Sequence, residues 1–349
     1  MEQPSDLRGA LDAAVAGIAV RDLATAVERL VGQYRQGFDV RAAGRPSGSN
    51  PSRRAGGEPS EPILRSSADV AAYTAYRMPA TFAAVRSALT QLAAASPGSR
   101  PRTHLDIGGG TGAAVWAAAQ VFDSLTSVTV LDQVAEALAM GGRLARHAIS
   151  PALRTATWRQ AGVAGDFPEA DLVTMSYVLG ELSEPDQRDV VRRAAVAGSA
   201  EGAAVVIVEP GTPAGYQRVL AARATLIELG LSVAAPCPHQ RDCPLPAGRD
   251  WCHFAVRVNR SSLHRQIKQA ELGYEDEKFS YIAAVRGPVR AAAGRVLRHP
   301  QSRKGLVTLE VCGRDGDTAR QLVSKRQGEL YRAARDAGWG DAWPPGDVT

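Results

Sequence analysis

Residues 103–121 read THLDIGGGTGAAVWAAAQV. A short β-prone run, Thr103–Ile107, enters the glycine-rich segment Asp106-Ile-Gly-Gly-Gly-Thr-Gly112, and an Ala-rich helical run leaves it. Gly108, Gly110 and Gly112 permit a tight strand-to-helix turn and a close approach of backbone to ligand. A helix that starts at such a turn presents free N–H groups, which favour a carboxylate or another negative group. Asp132 ends the next β-prone run, 24 residues after Gly108, the position from which an acid reads ribose hydroxyls in folds of this kind.

Outward from this loop the same alternation repeats. Strand candidates SVTVLD, DLVTMSYVL and AAVVIVEP alternate with helical VAEALAMGGRLARHA and DQRDVVRRAAVA, which predicts βαβ units and a parallel sheet. KFSYIAAVR and GLVTLEVC are two further strand candidates, and DTARQLVSKRQGELYRAARDA reads as a final polar helix. Upstream, residues 5–36 carry apolar positions at three- and four-residue steps, a helical period. Residues 41–62, rich in Gly, Pro, Ser and Arg, read as a flexible linker. A second helical stretch over 68–95 contains Pro79, a predicted kink or break. The expected organisation is an N-terminal helical segment (1–40), linker (41–62), helical lead-in (63–102) and Rossmann-like core (103–230). A cysteine-bearing region with the remaining strands (231–315) and a C-terminal helix and tail (316–349) follow.

The 349 residues suffice for one large domain or two modest ones. With 41 Lys plus Arg against 36 Asp plus Glu, the chain is mildly basic at +5, which permits a nucleic-acid partner. Aromatic residues make up 5%, which argues against a broad base-stacking platform. No apolar run is long enough to span a membrane, and Glu2, Asp6, Arg21 and Asp22 are unlike a secretory signal, so the expected location is cytoplasmic, with reduced thiols.

The spacing Asp-x-Gly-x-Gly-x-Gly over 106–112 resembles motif I of the class I S-adenosylmethionine (SAM) methyltransferases. A second signal is the cysteines. Cys237, Cys243 and Cys252 fall within PCPHQRDCPLPAGRDWCHF, and Cys312 ends the last strand candidate. The segment is polar and Pro-rich, poor material for a core in which free Cys would simply pack. A reduced compartment disfavours disulfides, which leaves a metal centre. The intervals of five, eight and fifty-nine residues are wide for structural zinc. Iron–sulfur clusters also take four Cys thiolates, and Pro follows Cys237 and Cys243. Spacing alone leaves zinc and a four-iron cluster open, with His239 and His253 as substitute ligands.

Together, AYTAYRMPATFAAV, LDIGGGTGAAVWAA, VTMSYVLGEL, VIVEPGTPAGY, the cysteine block, RVLRHPQSRKGLVTLEVC and WGDAW resemble the Rsm22-like family over about residues 68–345. The resemblance implies a class I methyltransferase fold with N-terminal helices and an iron–sulfur insertion. It implies a [4Fe-4S] cluster on Cys237, Cys243, Cys252 and Cys312, and SAM at Asp106, Gly108, Gly110, Gly112 and Asp132. It also implies a role with 16S rRNA in small-subunit assembly; the chain is expected to be a monomer.

Catalysis is less legible. The Asn/Asp-Pro-Pro-Tyr/Phe motif of amine-methylating enzymes is replaced by Ser176-Tyr-Val-Leu-Gly-Glu181. Glu181 and Glu209, near strand ends, are candidate bases, and Tyr177 could stack on a ligand. Two acid-free stretches, Val256–Lys268 and Arg286–Lys304, supply candidate RNA contacts at Arg257, Arg260, Arg295, Arg298, Arg303 and Lys304. Two function classes follow: a SAM-dependent rRNA methyltransferase, or a non-catalytic assembly factor that retains the fold, with a cluster that gates RNA binding as a third variant.

Overall fold

A computed structural model describes residues 4–19, 21–29, 67–246, 248–260, 265 and 272–345. Its centre is the expected α/β core. The first strands are β1 (Thr103–Ile107), β2 (Ser127–Asp132), β3 (Thr157–Gln160), β4 (Leu172–Ser176), β5 (Ala204–Pro210) and β6 (Ser232–Ala235). β7 (Phe254–Asn259) and β8 (Tyr274–Val285) follow. The sheet order is β3-β2-β1-β4-β5-β8-β6, and β7 pairs with β8. β1 to β5 run parallel, whereas β8 is antiparallel to β5, β6 and β7.

β5 shows why a parallel strand reads as an unbroken apolar run. Ala204, Val206 and Val208 pack into one core, and Val205 and Ile207 into another on the opposite face. The helices divide the same way. α1 (Ser5–Val15), α2 (Ser67–Tyr76), α3 (Met78–Ala95), α4 (Ala113–Val121) and α5 (Ala135–Ala145) cover the first face. After the short α6 (Pro151–Arg154), α7 (Glu184–Ala197) and α8 (Pro213–Glu228) cover the second. Ser183 caps α7 and Thr212 caps α8, the latter accepting from Gly215 N at 3.1 Å, with Pro in the first turn of each.

A second, four-stranded sheet follows: β9 (Gly294–Val296), β10 (Gln301–Arg303), β11 (Leu306–Gly313) and β12 (Thr318–Ser324). Val296, Val307, Leu309, Val311, Val323 and Trp343 bury its inner face, with Ala334 of α9 (Glu329–Asp336).

Three expectations change. The final polar helix is strand β12 over Thr318–Ser324, because pairing along β11 outweighs the local helical period; a short 3-10 turn at Lys325–Gln327 and the α-helix Glu329–Asp336 are its helical remainder. The first helical stretch is interrupted, with helix at Ser5–Val15 and again over 21–29; its remainder and the linker at 41–62 lie outside the described residues. The break near Pro79 falls at Arg77, and Pro79 sits in the first turn of α3. β3 and α8 are further elements for which the sequence reading had no candidate.

Gly141 in α5 packs directly against Trp158 of β3: a Cβ there would run into the indole ring at Cζ3. Gly141→Ala should therefore lower stability by about 1–3 kcal/mol through overpacking, against the roughly 1 kcal/mol that Ala ordinarily adds in a helix. Trp158→Leu in the same chain should recover most of that loss. Urea midpoints of the three variants decide; strictly additive effects would rule out the contact.

Candidate functional site

The glycine loop leaves β1 and enters α4 as expected. Gly108, Gly110 and Gly112 have φ of 66°, 53° and 87°, a region that side chains resist. Space is as restrictive as φ: a Cβ on Gly108 would meet Val178 Cγ2 at 2.5 Å, and one on Gly112 would meet Trp158 at 2.6 Å.

Two carboxylates frame the loop. Asp132, at the end of β2, accepts from Gly110 N and from Val134 N, each at 2.8 Å. It thus ties the loop to the start of α5, and each oxygen keeps a lone pair for a ligand hydroxyl. Asp106 is fully buried beneath the loop. Thr174 Oγ1 donates to its Oδ1 at 2.7 Å, and His104 Nε2 lies 2.8 Å from the same hydroxyl. Asp106 Oδ2 is buried without a hydrogen-bond partner. Burial raises the Asp106 carboxyl to about 7 and lowers the His104 imidazole to about 3.

Beyond β4 the chain turns sharply. Tyr177 has φ 63°, the one positive value among described non-glycine residues. Its hydroxyl donates to Glu277 Oε1 at 2.7 Å. Arg77, between α2 and α3, grips the same carboxylate at 2.8 and 2.9 Å and lies 5.1 Å from the Tyr177 ring centre. Burial and the Glu277 carboxylate push the Tyr177 phenol far above its ordinary pKa, so it remains a donor.

The two candidate bases differ. Glu209 is 1% exposed. It accepts from Leu179 N at 3.0 Å and pairs with Arg218 Nε at 2.7 Å. It clamps the turn after β4 onto α8, which is a structural task. Glu181 is exposed in the short helix Leu179–Glu181.

The four cysteines meet. Cys237, Cys243, Cys252 and Cys312 line one recess of about 320 Å³ including its open mouth, with Pro236, Pro238, His239, Arg295 and Leu297 among its walls. All four are free thiols. Burial raises the thiols of Cys237, Cys252 and Cys312, the last to about 12, and the neighbouring sulfurs add to each shift. Tyr216 of α8 donates to Cys243 Sγ at 3.0 Å, and His239 Nε2 lies 3.4 Å from Cys312 Sγ. His253 instead stacks on Trp251 and meets Trp339 edge-on, outside the recess walls. Among the described residues no group of three or more His, Cys, Asp or Glu is gathered so as to hold a metal ion.

Buried arginines brace these walls, and this corrects part of the basic surface. Arg295 is 3% exposed and donates to Pro236 O at 2.8 Å, Gly340 O at 2.9 Å and the Gln91 side chain. It is an internal strut because β9 pairs it opposite Cys312. Arg298 pairs with Asp250 and donates to Leu297 O at 2.6 Å. Arg257 pairs with Asp276 at 3.0 Å and Arg260 with Glu275 at 3.1 Å, since the β7–β8 ladder places acids beside them. Arg303 and Lys304 are exposed. Arg223, which sequence reasoning passed over, is 6% exposed and donates to His239 O at 3.0 Å and Arg241 O at 2.7 Å.

The pH response of Asp106 is testable. Its folded carboxyl, at about 7 against an ordinary 3.8, holds a proton that the unfolded chain has released. Its stabilising contribution is complete below 3.8 and is lost as pH rises through about 7. His104, lowered to about 3 from 6.5, acts oppositely, mainly below 6.5, with an effect that fades as pH rises past that value. Between pH 6.5 and 8 Asp106 should therefore cost about 0.8 kcal/mol. Asp106→Asn should flatten that fall in urea melts; an unchanged slope would contradict the assignment.

No helix among the described residues is long and apolar enough to cross a membrane. The chain is 30% identical over 291 residues to the human (Homo sapiens) "Ribosome assembly protein METTL17, mitochondrial", a match over 78% of this chain and 62% of that protein. It is 25% identical over 323 residues to the Schizosaccharomyces pombe "Rsm22-cox11 tandem protein 2, mitochondrial", over 79% and 43% respectively. The chain thus spans less than two thirds of the length of these relatives. Both are named as mitochondrial, in contrast to the cytoplasmic expectation for this chain. Among solved structures, magnesium protoporphyrin IX methyltransferase from Synechocystis PCC 6803 with bound S-adenosylhomocysteine is similar at a TM-score of 0.39. It is 13% identical and aligns over 60% of this chain and 84% of that one. The family described as "Mitochondrial small ribosomal subunit Rsm22" matches residues 67–344, and this chain belongs to it.

Proposed function

We propose that this chain is a SAM-binding assembly protein of the small ribosomal subunit that contacts 16S rRNA and carries a [4Fe-4S] cluster. The observation that carries the SAM reading is the glycine loop. Three left-handed glycines, a helix N-terminus and the Asp132 carboxylate lie together at the ends of β1 and β2. The α4 N-terminus and loop amides suit the amino-acid end of SAM, and Asp132 its ribose. SAM, when bound, supplies an electrophilic methyl group.

Cys237, Cys243, Cys252 and Cys312 would hold the cluster. Four free thiols on one recess are the donor set that it requires. The cluster would supply an electron-storing, fold-tying centre. Tyr216 donates to Cys243 Sγ, and Arg223 and Arg295 hold the carbonyls around the loop, as outer partners of a metal site do.

The geometry favours assembly over methyl transfer. Glu209 is committed to Leu179 and Arg218, and Tyr177 to Glu277, so these two serve to hold the turn, while Glu181 is exposed. Methyl transfer stays as the second reading because the loop and Asp132 are intact.

Asp132→Ala should weaken SAM binding at least tenfold in calorimetry, since each charge-assisted bond is worth about 1.5–3 kcal/mol. Wild-type protein that binds no SAM would remove this part of the proposal. Anaerobically purified protein should hold about four irons and four sulfides, and Cys→Ser at any of the four positions should bleach it. Stoichiometric zinc without sulfide would overturn the cluster. A deletion strain should show defective small subunits with an unchanged methylation map of 16S rRNA; one lost mark would establish the enzyme reading instead.

A further inference from the structure

Most of the cations that the sequence singles out are engaged elsewhere, as struts or in ion pairs. The second sheet gathers a different set. β10 and β11 are joined by the two-residue turn Lys304-Gly305, because Arg303 pairs opposite Leu306. Leu306 pairs opposite Ser324 of β12, and Lys325 N donates to Gly305 O at 2.9 Å. These contacts bring Arg303 and Lys304 to the same end of the sheet as Lys325 and Arg326, 21 residues away in sequence.

All four side chains are exposed, and none forms an ion pair among the described residues. The nearby acid in sequence, Glu329, turns to Arg332 at 3.9 Å. The tip is fixed rather than floppy: Ser324 and Gln327 form a reciprocal cap, with Ser324 N donating to Gln327 Oε1 at 2.7 Å. The cross-strand register continues the surface away from the tip. Gln301, Thr308 and Leu322 share its outward face, with Leu322 61% exposed, and farther from the tip the exposed Glu310 stands opposite Arg320.

We propose that this tip and outward face form the surface by which the chain grips the phosphate backbone of double-helical RNA. The inference rests on the RNA-contact reading above and gives it a location. Four exposed cations on a held backbone at one sheet end, with no ion pair among the described residues, suit phosphates spaced along a helix. The face carries no aromatic side chain, so stacking on unpaired bases, the usual means of holding single strands, has no platform there.

The test measures binding of the full chain, loaded with its metal, to a short mixed-sequence RNA duplex and to its separated strands across a range of salt. Wild type should prefer the duplex, with log Kobs falling steeply against log salt. Replacing Arg303, Lys304, Lys325 and Arg326 together by Gln should make that slope shallower by about three to four, near 0.9 per lost phosphate contact. A control that replaces Arg100 and Arg188, exposed cations paired with Asp123 and Glu228, should leave the slope within one unit. The four tip residues are exposed, so thermal unfolding should be unchanged and confirm an intact fold. A quadruple variant with the wild-type slope would overturn the surface and leave the RNA reading standing. Wild type with no salt-dependent RNA binding would overturn both. Equal affinity for the separated strands, or a kept slope with lost binding to small subunits, would overturn the duplex assignment in favour of single strands or a protein partner.

Discussion

The antiparallel pairing of β8 between β5 and β6 is the constraint on which both candidate ligand regions depend. Residues Phe279–Val285 complete the main sheet, with Ser280 opposite Glu209 and Phe279 opposite Pro210. Residues 274–278 run on beyond that pairing and pair only with β7. One twelve-residue strand thus belongs to two environments. From its free half Glu277 reaches Arg77 and Tyr177, beside the glycine loop. From its sheet half Ser280 Oγ donates to Cys252 O at 2.8 Å, fixing one wall of the cysteine recess. A strand buried along much of its length moves little, so the two regions hold their relation through backbone pairing rather than through loops.

What could be read from the sequence follows from how local the physics is. The glycine loop was legible because strand, turn and helix are adjacent in the chain and glycine spacing reports φ directly. The cysteines were legible because four thiols, spent nowhere else, mark themselves by residue type. The cations misled because charge along the chain says nothing of what lies across a ladder. Val256–Lys268 holds no acid, yet β8 sets Asp276 opposite Arg257 and Glu275 beside Arg260. Arg295 had the same failing: its place opposite Cys312 in the second sheet makes it a buried strut.

β12 was misread for a related reason. TARQLVS has a polar three- and four-residue period that suits a helix, and its one buried residue, Val323, is too weak a signal for a strand. The strand forms because β11 offers seven paired positions, from Leu306–Ser324 to Cys312–Thr318, and a ladder overrides local propensity. The consequence reaches function. As a helix, Thr318–Ser324 could not deliver Lys325 and Arg326 to the β10–β11 turn; as a strand it must, since an antiparallel ladder that starts at Cys312 ends at Leu306.

Tyr177 carries the argument about chemistry furthest. A bulky residue at φ 63° costs roughly 1–3 kcal/mol and persists only where its surroundings over-determine it. Here they do: Glu277 accepts from its hydroxyl, Arg77 holds Glu277 with two bonds, and Tyr177 N donates to Val208 O at 2.8 Å. Next along the chain, Val178 fills the space above Gly108, and Glu209 accepts from Leu179 N. The turn after β4 is thus held at four successive positions, Tyr177 to Gly180, the last pressed against Arg218. A methyltransferase places its acceptor-binding and proton-accepting groups in this region, and such groups need unsatisfied lone pairs that face the substrate. In this chain the Glu209 and Glu277 carboxylates and the Tyr177 phenol are directed at the protein itself, whereas Glu181 is exposed. The strain at Tyr177 is therefore carried by contacts that hold the turn against the glycine loop, where Val178 leaves no room for a side chain at Gly108.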